Sequence, residues 1–309
     1  MKIAVPDFIT NSYFPAVAAV ELGLFREEGL DMTLEHIFPI NRACEVLRDG
    51  GVDFVAGSAH APLAAFPGWN GAKLLAALAQ GMYWLLVVRA DLGAKRGDIA
   101  AVKGLRIGAA PFVELGLRRM LAEVGIDPER DGMTIGPIAG TGKGGSFGVM
   151  AAEALRQKQI DGFWANAMGA ETAIRHGVGT VLVDIRRGDA PRKAFNYTQP
   201  ALITTEALIA REPETAAAAV RAVVKTQAAL KADVSLATRI GERLFPGRDA
   251  EMIADVVARD LPYYDATITP EFVVEMNAFM TDLGWLDGPV PYEKVVATRF
   301  SGLWAGQGQ

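Results

Sequence analysis

The sequence predicts an α/β protein with two lobes, and three observations indicate this fold class. Short apolar, β-branched runs alternate with helix-length segments over about the first 90 residues. A second series of the same kind extends from about residue 105 to about residue 185, and beyond about residue 205 the pattern is helical only. Strands that alternate with helices are typical of βαβ units and mainly parallel sheets.

The first series contains five candidate strands and three candidate helices. The strands are KIAVP (2–6), DMTLEHI (31–37), VDFVAG (52–57), KLLAALA (73–79) and WLLVVRA (84–90). Helices are expected at about 12–25, 41–49 and 59–67. In the first helix, Val17, Val20 and Leu24 share one face, as the helical period requires.

The second series predicts another sheet. Its strands are LRIGAA (105–110), MTIGPI (133–138), IDGFWA (160–165) and TVLVDI (180–185), with helices at about 113–124 and 146–156. Later helices are expected at 215–233 and 270–283. If PALITT (200–205) returns to the first lobe, the chain crosses between lobes near 87–91 and again near 197–204. A hinge with two crossings favours a closing cleft.

Composition and net charge exclude several classes of function. The 309 residues are 50% hydrophobic and carry a net charge of -5, so no basic face for nucleic acid is expected. A single cysteine, Cys44, and three histidines without ligand-like spacing predict neither a disulfide framework nor a metal site. No apolar run approaches the roughly 20 residues that span a bilayer. We therefore expect a protein that does not cross a membrane.

The compartment depends on the start of the chain. Met1 and Lys2 are followed at once by IAVPDF, which is too short for the apolar region of a signal peptide. We expect a periplasmic protein if a leader has been removed, and a cytoplasmic protein if Met1 is the true start.

The glycine run IAGTGKGGSFG (138–148) suggests nucleotide binding but fits it poorly. The spacing around Lys143 does not match a P-loop. Gly140, Gly142 and Gly145 satisfy G-x-G-x-x-G, yet the corresponding acid, Asp161, would open a strand instead of closing one. Two alternatives remain: backbone N–H groups from 142–146, with Lys143, hold an anion, or the segment is a surface loop.

The segment GSAHAP (57–62) follows a predicted strand, where open α/β sheets bind ligands. Ser58 is expected to cap a helix or donate to an anion. His60 is expected to donate a hydrogen bond or transfer a proton, or else to be a structural histidine with a backbone partner. No G-x-S-x-G elbow surrounds Ser58, so acyl transfer is not predicted.

Acidic pairs elsewhere in the chain are interpreted as solvated charge, because they lie on predicted turns and helix faces. The pairs are Glu27 with Glu28 and Asp260 with Asp265.

Aromatic and polar residues recur at the predicted strand ends and crossings. The rings are those of Phe8, Tyr13, Tyr83, Trp84, Phe112, Trp164 and Tyr197, and the polar residues are Thr10, Asn11, Ser12, Asn166 and Thr198. Aromatic walls with a few convergent polar groups suit small organic ligands. Some of these rings are alternatively ordinary core.

Several segments together resemble the periplasmic-binding-protein-like family that includes sulfonate, nitrate and thiamine-pyrimidine uptake receptors and the fungal thiamine pyrimidine synthase. They are PAVAAVELGLFREEGLDMTLE, VLRDGGVDFVAGSAHAPLAA, VKGLRIGAA, EALRQKQIDGFWANAMGAETA and PALITTEALIAREPETAAAAVRAVVKTQAAL. The resemblance implies a two-lobe type II fold with mixed, mostly parallel sheets. It implies lobes at 1–87 plus 203–309 and at 88–202.

The resemblance also implies that a ligand lies between the lobes. Residues carried over to that site are Asn11, Ser12, Tyr13, Ser58, His60, Met82, Tyr83, Phe112, Trp164, Asn166 and Tyr197. The synthase's pyridoxal phosphate and iron chemistry is not expected, because residues 52–71 contain no lysine and Cys44 stands alone. No cofactor or metal is predicted.

Two functions remain open. The first is a solute-binding protein that captures a small anionic or aromatic organic ligand for an ABC importer, whose permease would be its partner. The second is a cytosolic enzyme or ligand sensor on the same fold, such as a decarboxylase or lyase of a small aromatic acid that uses His60 as acid or base.

Overall fold

A computed structural model describes residues 1–141 and 145–305. Its strands are β1 (Lys2–Val5), β2 (Thr33–His36), β3 (Phe54–Ser58), β4 (Ala72–Ala77), β5 (Leu85–Arg89), β6 (Arg106–Ala109), β7 (Thr134–Gly136), β8 (Gly162–Ala165), β9 (Gly179–Asp184) and β10 (Pro200–Thr205). Its α-helices are α1 (Phe14–Glu21), α2 (Leu24–Glu27), α3 (Ile40–Arg48), α4 (Glu114–Glu123), α5 (Phe147–Arg156), α6 (Ala167–Arg175), α7 (Glu206–Arg211), α8 (Pro213–Ala232), α9 (Leu236–Leu244), α10 (Arg248–Asp260), α11 (Pro270–Asp282) and α12 (Tyr292–Val295). Each strand predicted from the sequence overlaps one of these strands.

The strands form two five-stranded sheets with the same pattern. The first has the order β2-β1-β3-β10-β4 and the second the order β7-β6-β8-β5-β9. In each sheet the fourth strand runs antiparallel to both neighbours, β10 against β3 and β4, and β5 against β8 and β9. The mixed, mostly parallel α/β architecture predicted from the sequence is confirmed.

The chain divides into two compact units. The first unit is Met1–Gln80 with Tyr197–Gln309, and the second is Gly81–Asn196. The chain therefore leaves the first unit once and returns once. The lobe boundaries expected after residues 87 and 202 fall within β5 and β10, and each of these strands is continuous within one sheet. A short apolar run identifies a buried strand but does not say which sheet the strand joins.

In the first unit, α8 packs its small residues against the sheet and α1. Pro213 begins the helix, where its missing N–H costs nothing, and the run Ala216–Ala219 is buried. The buried Gln227 side chain donates hydrogen bonds to the carbonyl oxygens of Ala77 (3.1 Å) and Leu78 (3.0 Å). This contact joins α8 to the carboxyl end of β4.

Three helical expectations differ from the structure. The helix expected at 12–25 is divided at Gly23, whose φ is 76°, into α1 and α2, so Leu24 is not in the same helix as Val17 and Val20. The segment expected as a helix at 59–67 forms two short 3₁₀ turns, Ala61–Ala64 and Pro67–Trp69, because Pro67 lacks an N–H and interrupts a continuous helix. No helix was expected at 167–175, where α6 lies. Gly169 brings α6 against α5, since a Cβ there would be 2.7 Å from the Gly148 backbone. Because α6 is rich in small residues, its sequence has no clear apolar period and did not predict a helix.

Within the described residues, no helix is long and apolar enough to cross a membrane.

The amino ends of β6 and β8 in the second unit are joined by an ion-pair network centred on Asp161. Its carboxylate accepts hydrogen bonds from the backbone N–H of Arg106 (3.0 Å), from Arg106 Nε (2.8 Å) and from Arg89 Nη1 (3.0 Å). The Arg106 hydrogen bond outweighs burial, so the pKa of Asp161 lies below its usual value. The Asp161 carboxylate therefore has a structural role, bound to Arg106 and Arg89. This argues against the ribose-binding role considered for the glycine run.

We expect Asp161→Asn to lower the free energy of unfolding by about 1–3 kcal/mol at neutral pH, because a charge-assisted network is lost. The folded-state pKa is depressed, so the difference between the two proteins is full above about pH 4 and shrinks as the pH falls through the folded pKa. Urea unfolding across this range measures it, with exposed Asp98→Asn as the control. An equal difference at pH 7 and at pH 3 would contradict the network.

Candidate functional site

The predicted site residues fall into two groups, one in each unit. Asn11, Ser12, Tyr13, Ser58, His60 and Tyr197 belong to the first unit, and Met82, Tyr83, Phe112, Trp164 and Asn166 to the second.

In the first unit, three chain segments meet at the carboxyl ends of β1 and β3. Residues 6–13 follow β1, Ser58 ends β3, and residues 197–199 precede β10. Because β10 runs antiparallel to β3 with Pro200 opposite Ser58, its amino end lies at this edge of the sheet. The Ala59 N–H donates to the Gln199 carbonyl at 2.8 Å, and the Tyr13 hydroxyl lies 3.5 Å from Ser58 Oγ.

We call this group the first-unit polar cluster. It comprises Thr10, Asn11, Ser12, Tyr13, Ser58, His60, Tyr197, Thr198 and Gln199. Every member is buried, with no more than 5% of its surface exposed. Burial of so many polar residues at one sheet edge is costly unless they are hydrogen-bonded or hold a ligand.

Two residues far along the chain fix Asn11. Asn11 Nδ2 donates a short hydrogen bond to Asp260 Oδ2 at the end of α10, and the Tyr264 hydroxyl donates to the Asn11 carbonyl oxygen at 2.8 Å. Asp260 is buried, so its interpretation as solvated charge was wrong. A carboxylate can only accept hydrogen bonds from an amide, and this orients the Asn11 side chain.

Three side-chain atoms of the cluster have no hydrogen-bond partner among the described residues. They are Asn11 Oδ1, Ser12 Oγ and Gln199 Nε2. A buried polar atom without a partner costs about 1–3 kcal/mol. Such atoms are rare in folded proteins, and here they lie together at one sheet edge.

The aromatic side of the cluster is built around Phe279 of α11. The Tyr197 ring stacks on Phe279 with ring centroids 4.6 Å apart, and the His60 ring meets it edge-on at 5.7 Å. His60 is fully buried in this contact. The three rings form an apolar wall beside the polar atoms.

In the second unit, aromatic residues lie at the carboxyl end of β8. Trp164 is opposite Leu86 of the antiparallel β5, so Tyr83 and Trp84 just before β5 lie at the same edge. The Trp84 ring is 6.0 Å from that of Trp164 and 4.9 Å from that of Tyr83. Gly116 of α4 packs against Met82 and Trp84, since a Cβ there would be 3.0 Å from Met82 Sδ.

Phe112 lies between β6 and α4 at this edge, and Glu114 is the first residue of α4. Phe112 has a φ of 71°, a left-handed conformation that costs a non-glycine residue about 1–3 kcal/mol and is often found at functional sites. Glu114 Oε2 and Trp164 Nε1 are buried without a partner in the described part of the chain. Burial raises the pKa of Glu114, although backbone N–H groups and Arg118 oppose the rise.

A positive charge also lies among these aromatic residues. The Arg186 guanidinium is 5.9 Å from the centroid of the Tyr83 ring, and its Nη2 donates to the Gly81 carbonyl at 3.5 Å. A guanidinium over a ring face is a favourable cation–π arrangement.

Asn166 has a contact that explains its position without a ligand. Its Oδ1 accepts a hydrogen bond from the Gly169 N–H at 3.3 Å and caps α6. Ser146 caps α5 through Val149 in the same way. Gly142, Lys143 and Gly144, considered for anion binding, lie outside the described residues.

The first unit also contains a surface cavity of about 810 Å³, lined in part by Glu28, Arg221 and Lys225. Burial raises the pKa of Glu28, but its ion pairs with Lys225 (2.5 Å) and Arg221 (2.6 Å) outweigh it, so the pKa is lowered. Glu28 was therefore also wrongly interpreted as solvated charge. Because Arg221 and Lys225 are both already paired with Glu28, the cavity is a weaker candidate than the polar cluster. The described residues contain no cluster of His, Cys, Asp or Glu that could hold a metal ion.

Sequence reasoning missed several residues of both groups. In the first unit they are Gln199, Asp260, Tyr264 and Phe279, and in the second Glu114 and Arg186. Gln199 directly precedes a predicted strand, which was a usable signal. Arg186 directly follows another predicted strand, and Glu114 lies two residues after Phe112, so both had a similar signal. Asp260, Tyr264 and Phe279 come from distant helices or turns, and nothing in the local sequence marks them.

Two α/β units with the same sheet order, joined by two chain passages, define a periplasmic-binding-protein-like fold of type II. The chain belongs to the NMT1/THI5-like family, whose model matches residues 10–233. The family resemblance and fold class predicted from the sequence are thereby confirmed. No curated protein matched the chain by sequence.

Three solved structures illustrate the range of this fold. The ligand-binding component of an ABC-type import system from Staphylococcus aureus, with zinc bound, is 15% identical, with a TM-score of 0.71 and 98% of each chain covered. The alkanesulfonate-binding protein SsuA from Xanthomonas axonopodis pv. citri, bound to MOPS, is 14% identical, with a TM-score of 0.70, 97% of this chain and 96% of that one covered. The desulfurization enzyme DSZB is 14% identical, with a TM-score of 0.66 and 97% of each chain covered. At these identities the likeness shows the fold alone.

We expect Asn166→Ala to lower the free energy of unfolding by about 1 kcal/mol, because the cap of α6 is lost. Asn166→Asp keeps an acceptor at this position and is expected to retain the stability. Denaturant unfolding of the three proteins measures the effect. Equal loss in both variants would show that the side chain acts through something other than the cap.

Proposed function

We propose that this protein is a solute-binding protein that captures a small organic ligand, aromatic or anionic in part, for an ABC importer. The observation that carries the proposal is the first-unit polar cluster, with three buried polar atoms that lack partners in the described structure. A ligand that supplies those hydrogen bonds converts their cost into binding free energy.

The aromatic residues of each unit support an organic ligand. The Tyr197–Phe279 stack in the first unit and the Tyr83–Trp84–Trp164 group in the second offer ring faces, and rings contribute large apolar area at low entropy cost. Arg186 in the second unit offers a positive charge to an acidic group of a ligand. The expectation that one ligand contacts both units stays a prediction.

Import is supported by family membership and by two fold relatives. One is named as a ligand-binding component of an ABC-type import system and another as an alkanesulfonate-binding protein. The transporter permease is the partner that this function requires. In such systems the solute stabilises the state of the receptor that the partner recognises.

A second candidate function is catalysis on the same fold. The observations that favour it are the fully buried His60 within the polar cluster and the desulfurization enzyme among the fold relatives. His60 would act as acid or base in the decarboxylation or cleavage of a small aromatic acid. Transport is preferred because the cluster offers hydrogen-bonding atoms at several positions, whereas His60 itself packs against Phe279.

We expect Ser12→Ala to weaken ligand binding without lowering the stability of the free protein. Its hydroxyl is buried without a partner among the described residues, so removing it relieves a cost in the absence of ligand. A melting-temperature screen against a solute library identifies binders, since a bound ligand raises the apparent stability. Calorimetry with the best binder then compares wild type and variant.

The matched control is Ser301→Ala, which makes the same change at an exposed position. A lower melting temperature of free Ser12→Ala, with unchanged affinity, would give Ser12 a structural role instead. A screen in which no organic solute raises the melting temperature would contradict the proposed function as a whole.

For the second candidate, we expect the solute with the largest melting-temperature increase to be recovered unchanged after prolonged incubation. Chromatography of the incubation measures this. Turnover that falls by about 100-fold or more in His60→Gln, with affinity retained, would instead establish catalysis, since acid–base groups contribute about that much.

A further inference from the structure

The orientation of the Asn11 amide is set by Asp260. Nδ2 donates to the buried Asp260 carboxylate, which has no hydrogen to give back, so Oδ1 must lie on the other side of the amide. The Tyr264 hydroxyl holds the backbone of the same residue. Asn11 therefore presents a fixed acceptor, and its oxygen has no partner among the described residues.

The same cluster also presents a donor. Gln199 Nε2 is buried and lacks a partner within the described structure, and the Gln199 backbone is fixed by the Ala59 N–H at 2.8 Å. The Ser12 hydroxyl, next to Asn11, can act in either role. The cluster thus offers one fixed acceptor, one donor and one adaptable group.

The charge of the cluster also bears on the ligand, because it disfavours an anionic head group. The segments 10–13, 58–60 and 197–199 contain no lysine or arginine, and Asn11 is hydrogen-bonded to the carboxylate of Asp260. A head group with acceptors only, such as a carboxylate or sulfonate, would pair with Gln199 but leave Asn11 Oδ1 facing another acceptor. Such a mismatch in a buried site discriminates strongly between ligands.

We propose that Asp260 is a positioning residue that turns Asn11 into a specificity filter, so that the first-unit cluster selects a solute head group with an N–H donor beside an acceptor. An amide, a lactam or an amino-substituted nitrogen ring has this pattern. The inference rests on the proposed solute-binding function and narrows its ligand class, while an acidic group elsewhere on the solute remains compatible with it.

The test uses pairs of probes that differ only in the head group. Benzamide and benzoate, and nicotinamide and nicotinate, have nearly the same shape, but only the amides carry N–H donors. Binding to the full chain is measured by melting temperature and NMR titration at about 10 mM probe, because fragments of this size bind weakly. We expect each amide to bind at least tenfold more tightly than its acid.

Asp260→Asn tests the positioning role. An asparagine at 260 can donate as well as accept, so Asn11 is free to turn its amide over and present Nδ2 to the solute. We expect the preference for the amide to fall about tenfold, with the acid gaining affinity. A merely structural role would weaken both probes equally and leave their ratio unchanged.

Two further variants complete the design. Asp255→Asn makes the same change at an exposed position of α10 and is expected to leave the preference intact. Asn11→Ala removes the acceptor and is expected to abolish the preference, which keeps the test available if Asp260→Asn folds poorly.

The outcomes separate this inference from the proposed function. If the acids bind as well as the amides, or if no amide binds while other library solutes do, the filter is overturned and solute binding stands. If the amides are preferred but neither Asp260→Asn nor Asn11→Ala changes the ratio, the positioning role is overturned. If no probe and no library solute binds, both are overturned.

Discussion

The candidate site of the first unit depends on the antiparallel pairing of β10 with β3. The register that sets Pro200 opposite Ser58 brings residues 197–199 to the carboxyl ends of β1 and β3. Because side chains alternate between the two faces of a sheet, a slip of one residue would move every β10 side chain to the opposite face. The hydrogen bond from Ala59 to Gln199 extends this register beyond the strand. A strand that follows the second unit in sequence therefore completes the polar edge of the first.

The unpartnered atoms of the polar cluster are significant because most other buried polar groups of the first unit are hydrogen-bonded. Gln227 donates to two carbonyl oxygens at the end of β4, Trp69 Nε1 donates to Asn277, and Thr204 donates to the Asp53 carbonyl. These groups are as deeply buried as the polar cluster, yet each has found a partner. Among the described residues, Asn41 Oδ1 is the one further buried side-chain atom of the first unit, outside the cluster, that lacks a partner. A unit that pairs most of its other buried polar groups indicates a ligand site at the cluster and not a general defect of packing.

The sequence pattern was sufficient to predict the positions of the strands. It was not sufficient to predict which side chains orient the site. All ten strands carry a local apolar pattern, and the aromatic residues near Tyr83 and Trp164 could be placed at strand ends from that pattern alone. Asp260 and Glu28 were misjudged because an acidic residue on a helix face has the same local pattern whether it meets water or a buried partner. The orientation of Asn11 depends on contacts with α10 and the turn after it, far away in sequence, and no local pattern encodes such contacts. The strained backbone of Phe112 is likewise a property of tertiary structure.

The second unit has a similar combination of a buried acceptor, a buried donor and aromatic rings, formed by different residues. Glu114 provides an acceptor and Trp164 a donor, each buried without a partner in the described chain, at the carboxyl ends of β6 and β8. The sheets share one strand order, so the same edge of each sheet carries the unsatisfied groups. Ring faces at both edges supply apolar area, which is non-directional and would accept many solutes. Discrimination must then come from the fixed donors and acceptors, whose directions are set by contacts such as that between Asp260 and Asn11.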